Sequence, residues 1–502
     1  MVAAVSSSSK AFSAGRLSRG TSQLLQECVD DAHLEGELKQ LSFVLEVDRA
    51  HVVMLAKQRL ITQAQATALL EEIEYLSREG YTRIVPEPGF GTINLQIENY
   101  LAQRIGQDTA GRLPIGRSRI DHGATVRRVS DRRSVLKVQK GLMTILDVLL
   151  SVASKHYETV YISFTHMQQA QPATFGHYLF AFFERLNSMA QQLAQIYDRF
   201  DSNPLGSVGL SGTELLIDRD LTASLLGFPS NIENSLAGRD AYYQIEIACA
   251  LGQIMTVLND LCSDLHIHSS TEFGYIEICD SHCSTSSIFP QKKNPVALEA
   301  VKYKAAEAHG WVTTALSIFR NEGTADQYYR SLPFLSSACA TTADMLCLTA
   351  EVVERLSVNQ ARCEESLRKA WVTTNRLGNV LVVKHGLDFR TAHGIVGRMV
   401  RLGTARDLAP KDVTLELLLE AAEQMNLAGS RISLSQAELT HALDYKSFLL
   451  ESNTMGSREF AQITAQAGKQ KEECARWLDA REGRLASAAL QLDRMSKQIR
   501  ES

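Results

Sequence analysis

Long stretches of the chain repeat apolar residues at three- and four-residue spacing, the pattern of helices packed side by side. Leu136–Leu150 (LKVQKGLMTILDVLL), Tyr178–Tyr197 and Ala241–Cys262 (AYYQIEIACALGQIMTVLNDLC) spread those residues so widely around the helix axis that each needs cover from several neighbours. Val296–Leu316 and Ser336–Leu356 continue the pattern, and the five segments together predict one central bundle between residues 120 and 360. Only 10 prolines interrupt the 502 residues, and no Gly or Asn pair stands between alternating β-branched runs, so the strand signal is weak. The expected fold is all-α: a long central bundle at 120–365 flanked by smaller helical domains at 27–119 and 366–502.

The ends of the chain differ from this pattern. Residues 1–26 carry Lys10, Arg16, Arg19, several serines and no acid, the composition of an organelle transit peptide or, more economically, of a disordered tail. Glu472–Ser502 is rich in Lys, Arg, Glu and Gln, with Leu and Met at helical spacing, and predicts an exposed or partner-packed terminal helix.

Composition narrows the function. A net charge of -5 gives no electrostatic reason to invoke nucleic acid or an acidic membrane surface, and charged or amide residues break every apolar run before the ~20 residues that a membrane span needs. Nine cysteines, an odd number with no CxxC pair, fit free thiols in a reducing compartment, so a cytoplasmic protein is expected. Cys279, His282 and Cys283 are the densest group of soft ligands, but their spacing matches no usual metal site, and buried free thiols are the better reading.

The most informative chemistry lies in SHCSTSSIFPQKKNPVALEAVKYKAAE, Ser281–Glu307. Small hydroxyl residues followed by Pro290 and then Lys292, Lys293, Asn294 and Pro295 predict a loop leading into a helix that starts near Pro295. Lysine and amide donors side by side suit a developing carboxylate-like anion, although a lone KKNP is equally a solvated basic turn. Read singly, His166 is a satisfied or solvent-facing histidine, Glu299 a helix-surface acid, and the Arg119 segment a basic helix start paired to Asp121.

The loop SSIFPQKKNPVALE resembles that of the aspartase/fumarase superfamily, and QKKNP in particular is similar to argininosuccinate lyases. Two further stretches carry the same resemblance: SFTHMQQAQPATFGHYL (Ser163–Leu179), like the family's Thr-His segment, and AGRLPIGRSRIDHGATVRR (Ala110–Arg128), like its GRSRND segment. Weaker matches are Leu215–Phe228, Asn231 with Arg239-Asp240, and Gly386–Val400, so the likeness runs from about Gly15 to about Ser457.

The resemblance implies a carbon–nitrogen lyase in which Ser286 removes the proton beside a carboxylate while Lys292 and Asn294 stabilise the dianionic intermediate. It assigns Thr165 to carboxylate binding and His166, oriented by Glu299, to catalytic support. Ser118 and Arg119 would grip carboxylates, with Ser287, Asn94 and Gln96 also facing substrate. It implies a homotetramer with active sites built from three subunits, and no cofactor or metal.

Departures from the family cluster on the amine side. Gly91–Gln96 reads GTINLQ where argininosuccinate lyases have EDIHTA, losing two acids and a histidine, and Ile120 replaces an asparagine. Thr285 and Phe289 stand where the family usually has Gly and Met. The family's YNKDLQ becomes DQYYRS at Asp326–Ser331, so Tyr328, Tyr329 and Arg330 predict a more aromatic and cationic wall, suited to extra carboxylates. The expected reaction is therefore reversible elimination of fumarate from an aminodicarboxylate such as a succinylated amino acid or diamine. Argininosuccinate lyase activity itself, or a catalytically silent crystallin-like structural role, are the alternatives.

Overall fold

The computed structural model describes residues 21–80, 83–84, 92–320, 331–426, 432–452 and 460–502. Five helices form the bundle's frame: α4 (Arg119–Lys155), α5 (Phe175–Phe200), α6 (Tyr243–His268), α7 (Val296–Ile318) and α8 (Leu335–Arg355). They are the five segments expected from the apolar spacing, most of them longer than the pattern alone marks. Before them come α1 (Leu41–Lys57), α2 (Gln63–Glu79) and α3 (Ile93–Ile105). After them, α9 (Thr374–His385), α10 (Phe389–Ala405), α11 (Leu415–Glu423) and α12 (Gln436–Leu443) surround a small core of their own.

Helix α6 sits at the centre, against α5, α7 and α8, and α4 closes the frame by packing on α5 and α8. By length and composition α6 could cross a membrane, but its apolar faces are spent inside the bundle, where Ile247, Leu251, Ile254, Leu258 and Leu261 are fully buried. Burying a side chain of this size contributes roughly 1.5–3 kcal/mol. Two glycines let the frame close: a Cβ at Gly252 would lie 2.8 Å from Val312 of α7, and one at Gly141 would lie 3.2 Å from the Ala343 carbonyl of α8.

The last helix, α13 (Phe460–Glu501), does not join the small core of α9 to α12. It lies along α4 and α5 and reaches α1 and α2, where Leu492 and Ile499 enter the N-terminal core. The polar-rich composition of this stretch thus reflects a helix with one narrow buried stripe (Cys474, Leu478, Ala488, Leu492, Ile499). Residues 1–20 of the expected tail lie outside the described residues, and the chain is already helical at Gln23–Leu25.

Strand is more structured than the weak sequence signal implies. β1 (Val160–Thr165) and β2 (Gln168–Thr174) form an antiparallel hairpin. Its two-residue turn is His166–Met167, both at positive φ (53° and 57°), the geometry of the turn that Asn-Gly normally supplies. A His-Met turn carries no such signal, which is why the hairpin is illegible by composition. Two shorter antiparallel pairs join β3 (Ile276–Glu277) to β6 (Ser357–Val358) and β4 (Ser284–Thr285) to β5 (Lys293–Asn294).

Candidate active site

The start of α4 is fixed by a reciprocal cap. The Ser118 hydroxyl accepts the Ile120 N–H at 3.2 Å and the Asp121 carboxylate accepts the Ser118 N–H at 2.7 Å. Accepting that bond leaves the Ser118 O–H free to donate to an anion, at the positive end of a helix of 37 residues. The arginines on either side diverge: Arg119 is exposed, while Arg117 turns inward to Asp48 at 2.5 Å. The second Asp121 oxygen accepts the N–H groups of Gly206 (2.8 Å) and Val208 (2.9 Å), tying a loop to the helix start. Val208, a β-branched residue at φ 49°, is held in a strained conformation there.

Behind this helix start lies a buried polar cluster. Asp48 receives both Arg117 and, at 2.9 Å, His122 Nε2, and the other ring nitrogen of His122 meets the Asn94 amide at 3.2 Å. Burial by itself would raise the Asp48 carboxyl, but the charges and hydrogen bonds of Arg117 and His122 outweigh it and hold the group well below the usual carboxylate range. Burial, with Arg117 nearby, pushes His51 well below the usual imidazole value; its Nε2 bonds the Ile115 carbonyl at 2.9 Å. Burial raises Glu98, one turn beyond Asn94. Gln96 is buried on the same helix, and the Thr92 hydroxyl at its start is buried without a partner. A hydroxyl left so costs about 1–3 kcal/mol.

Thr165 and His166 stand at the tip of the β1–β2 hairpin, both exposed. The hairpin's base is rigid: Tyr161 bonds buried His268, packs edge-on to Phe175 at 5.1 Å, and Gln169 bonds Ser366 Oγ at 2.6 Å. The tip is strained and the base is fixed, so the imidazole is presented outward on a stiff arm.

Ser286 lies in a loop pinched at its base by β4 and β5. Its Oγ accepts two backbone N–H groups, from Phe289 at 3.1 Å and Ile288 at 3.3 Å. The neighbouring lysines separate by role. Lys293 bonds Asp280 at 2.6 Å and Glu277 at 3.0 Å, and the Asp280 hydrogen bond leads in raising its ammonium above the ordinary value. Lys292 is exposed and makes no side-chain ion pair among the described residues. The Asn294 amide approaches Ser284 Oγ at 3.5 Å, and Glu299 is exposed in the first turn of α7, which begins just after Pro295.

Thr165, His166, Ser287, Lys292 and Glu299 thus all face outward, and among the described residues His166 and Glu299 do not pair within one chain. Tyr328, Tyr329 and Arg330 lie outside the described residues. Asp48, His51, Arg117, Glu98 and His122 make up the buried polar cluster and were not singled out from sequence. Asp48 and His51, three residues apart in LSFVLEVDRAHVVML and set among its apolar positions Val47, Ala50 and Val52, were the available signal, since a core helix carries charge only where partners await it.

A family model described as lyase matches residues 25–310, and one described as argininosuccinate lyase C-terminal matches residues 373–449. The chain belongs to the aspartase/fumarase superfamily of lyases, close to argininosuccinate lyase. The argininosuccinate lyase of Methanocaldococcus jannaschii is 33% identical over 435 residues, covering 86% of this chain and 87% of that protein. EDDS lyase in complex with formate superposes with a TM-score of 0.86 at 27% identity, covering 96% of this chain and 97% of that one. An EDDS lyase variant with bound fumarate gives 0.85 at the same identity and coverage. The expectations of an all-α fold and of an enzyme are both met, and the chain is a carbon–nitrogen lyase.

Proposed function

We propose that this lyase reversibly eliminates fumarate from an N-substituted aspartate, an aminodicarboxylate such as a succinylated amino acid or diamine. The observation that carries the reading is the setting of Ser286, whose oxygen accepts two main-chain N–H groups in a clamped loop that also holds Lys292, which makes no ion pair among the described residues. A serine is a poor base in water, and donors aimed at its oxygen favour the alkoxide.

In the proposed step the Ser286 alkoxide takes the Cβ proton of the aspartate moiety. The carbanion's electrons are held as an aci-carboxylate by Lys292 and Asn294, then form the C=C bond of fumarate as the C–N pair leaves with the amine. Thr165, Ser118 and Arg119 hold the carboxylates, and His166 supports the reaction with Glu299 as its orienting partner. EDDS lyase with bound fumarate supports the product assignment.

Assembly of the site from several subunits accounts for the outward placement of these groups. Met167 beside His166, Ile288 and Phe289 beside Ser286, and Tyr303 one turn beyond Glu299 are 56%, 74%, 51% and 65% exposed in the single chain. Apolar side chains beside each catalytic segment fit contacts between copies in a homotetramer. Nine free cysteines fit a reducing, cytoplasmic setting.

A second reading, argininosuccinate lyase activity, is favoured by the relatives of that name. Incubating the purified protein with argininosuccinate, and with fumarate plus arginine, ethylenediamine, diaminopropionate or other amino acids, separates the two by fumarate absorbance and product mass. New aminodicarboxylates with inert argininosuccinate support the first reading; argininosuccinate turnover replaces it with the second. No turnover of any pair removes both.

A further inference from the structure

Asn94 takes the place of the histidine in the segment whose two amine-side acids are lost at Gly91 and Thr92, and the structure shows what orients it. Asp48 Oδ1 is the acceptor for both Arg117 (2.5 Å) and His122 Nε2 (2.9 Å), so His122 carries its proton on Nε2. In the neutral ring Nδ1 is then an acceptor, and the Asn94 Nδ2 at 3.2 Å is its donor. This bond commits the NH2 of the half-buried Asn94 amide to His122, and among the described residues its carbonyl oxygen accepts no hydrogen bond. Asp48 and His122 are themselves 1% exposed, so the orientation is set by groups that solvent does not reach.

We infer that Asp48 and His122 are positioning residues that hold Asn94 as a neutral hydrogen-bond acceptor for the nitrogen of a primary alkylamine, and that they thereby select alkylamines over guanidines. The inference rests on the function proposed above. In the direction of addition, the attacking nitrogen must be unprotonated. A carboxylate beside it would raise its pKa and keep it charged, whereas an amide oxygen orients one N–H without doing so. Thr92 and the first residues of α3, through Gln96, carry no charge, and the buried acid one turn beyond Asn94, Glu98, is itself pushed by burial toward its neutral form. Among the described residues from Thr92 to Gln96, a guanidinium, whose charge is permanent, finds no carboxylate.

The test follows addition of ethylenediamine to fumarate by the wild-type protein and by His122→Leu, His122→Gln and Asn94→Asp. Leucine removes the acceptor, while glutamine can give its N–H to Asp48 and its oxygen to Asn94. His122→Leu is expected to raise the KM for amine about tenfold, the effect of one lost hydrogen bond, with the KM for fumarate within about twofold of wild type. His122→Gln is expected within about threefold of wild type in both. Asn94→Asp is expected to move the rise of kcat/KM for amine to higher pH. Equal damage from Leu and Gln, or equal shifts in both KM values, overturns the inference. Turnover with arginine at a kcat/KM equal to that with ethylenediamine overturns the selectivity while leaving the lyase reading intact. If the wild type joins no amine to fumarate, the lyase reading fails by itself. The crystal structure of His122→Leu then decides the positioning: an Asn94 amide that leaves its place supports it, and an unmoved amide refutes it.

Discussion

Behind the Ser118 helix start, Asp48, His122 and Arg117 are 1%, 1% and 9% exposed and bonded to one another, whereas around Ser286 the loop exposes Ile288 by 74% and Phe289 by 51%. Both regions carry residues that the proposed reaction uses. The first is finished within one chain: its charges are paired, its cap is reciprocal, and its geometry does not wait for substrate. The second has only its base fixed, by β4, β5 and the Lys293 ion pairs, and its reactive groups point outward. Binding groups that must recognise a fixed anion gain from being rigid in advance, while a serine that must ionise gains from a loop that can close over it and exclude water.

Four changes test that contrast, in order of expected effect. Ser286→Ala removes the proposed base and is expected to lower turnover by about a thousandfold or more, measured as fumarate release, while the thermal midpoint stays within the small range of a surface substitution. A matching loss of stability would mean that the loop is not the independent element described. Asp48→Ala acts the other way: it strands the Arg117 charge inside the protein and is expected to cost about 3–5 kcal/mol in denaturant unfolding. A cost below ~1 kcal/mol would show that the cluster is not fixed by that pair.

Acid separates the regions without mutation. Burial holds His268, under the hairpin base, at about 4 against an ordinary 6.5, and holds His51 low as well. The unfolded chain therefore takes up these protons first. Stability is complete above about pH 6.5 and is lost progressively as pH falls toward 4, by on the order of 3 kcal/mol for His268. Unfolding midpoints that stay flat from pH 7 to 4.5 would contradict this. Asp48, held low, adds its own loss only at more acid pH, below the ordinary carboxylate value of 3.8. The smallest effect belongs to Lys293→Ala, whose exposed pairs with Asp280 and Glu277 contribute less than about 1 kcal/mol, so unfolding should barely change. A turnover loss as large as that of Lys292→Ala would show that the two lysines do not divide their roles.

The sequence alone determined the five long bundle helices, because their burial needs a three- and four-residue apolar repeat that is local and countable. It also carried the family likeness of the Ser286 loop, because SSIFPQKKNPVALE is contiguous and its resemblance to the aspartase/fumarase superfamily can be read without the fold. Tertiary structure decided what depends on partners distant in the chain. Asp48 meets His122 across 74 positions, and the positive-φ His-Met turn closes a hairpin whose base is held by Tyr161, His268 and Gln169. The final helix, read as exposed or held by a partner, found its cover on α4 and α5 of its own chain. A periodic pattern says that a face must be buried; which surface buries it is a property of the whole fold.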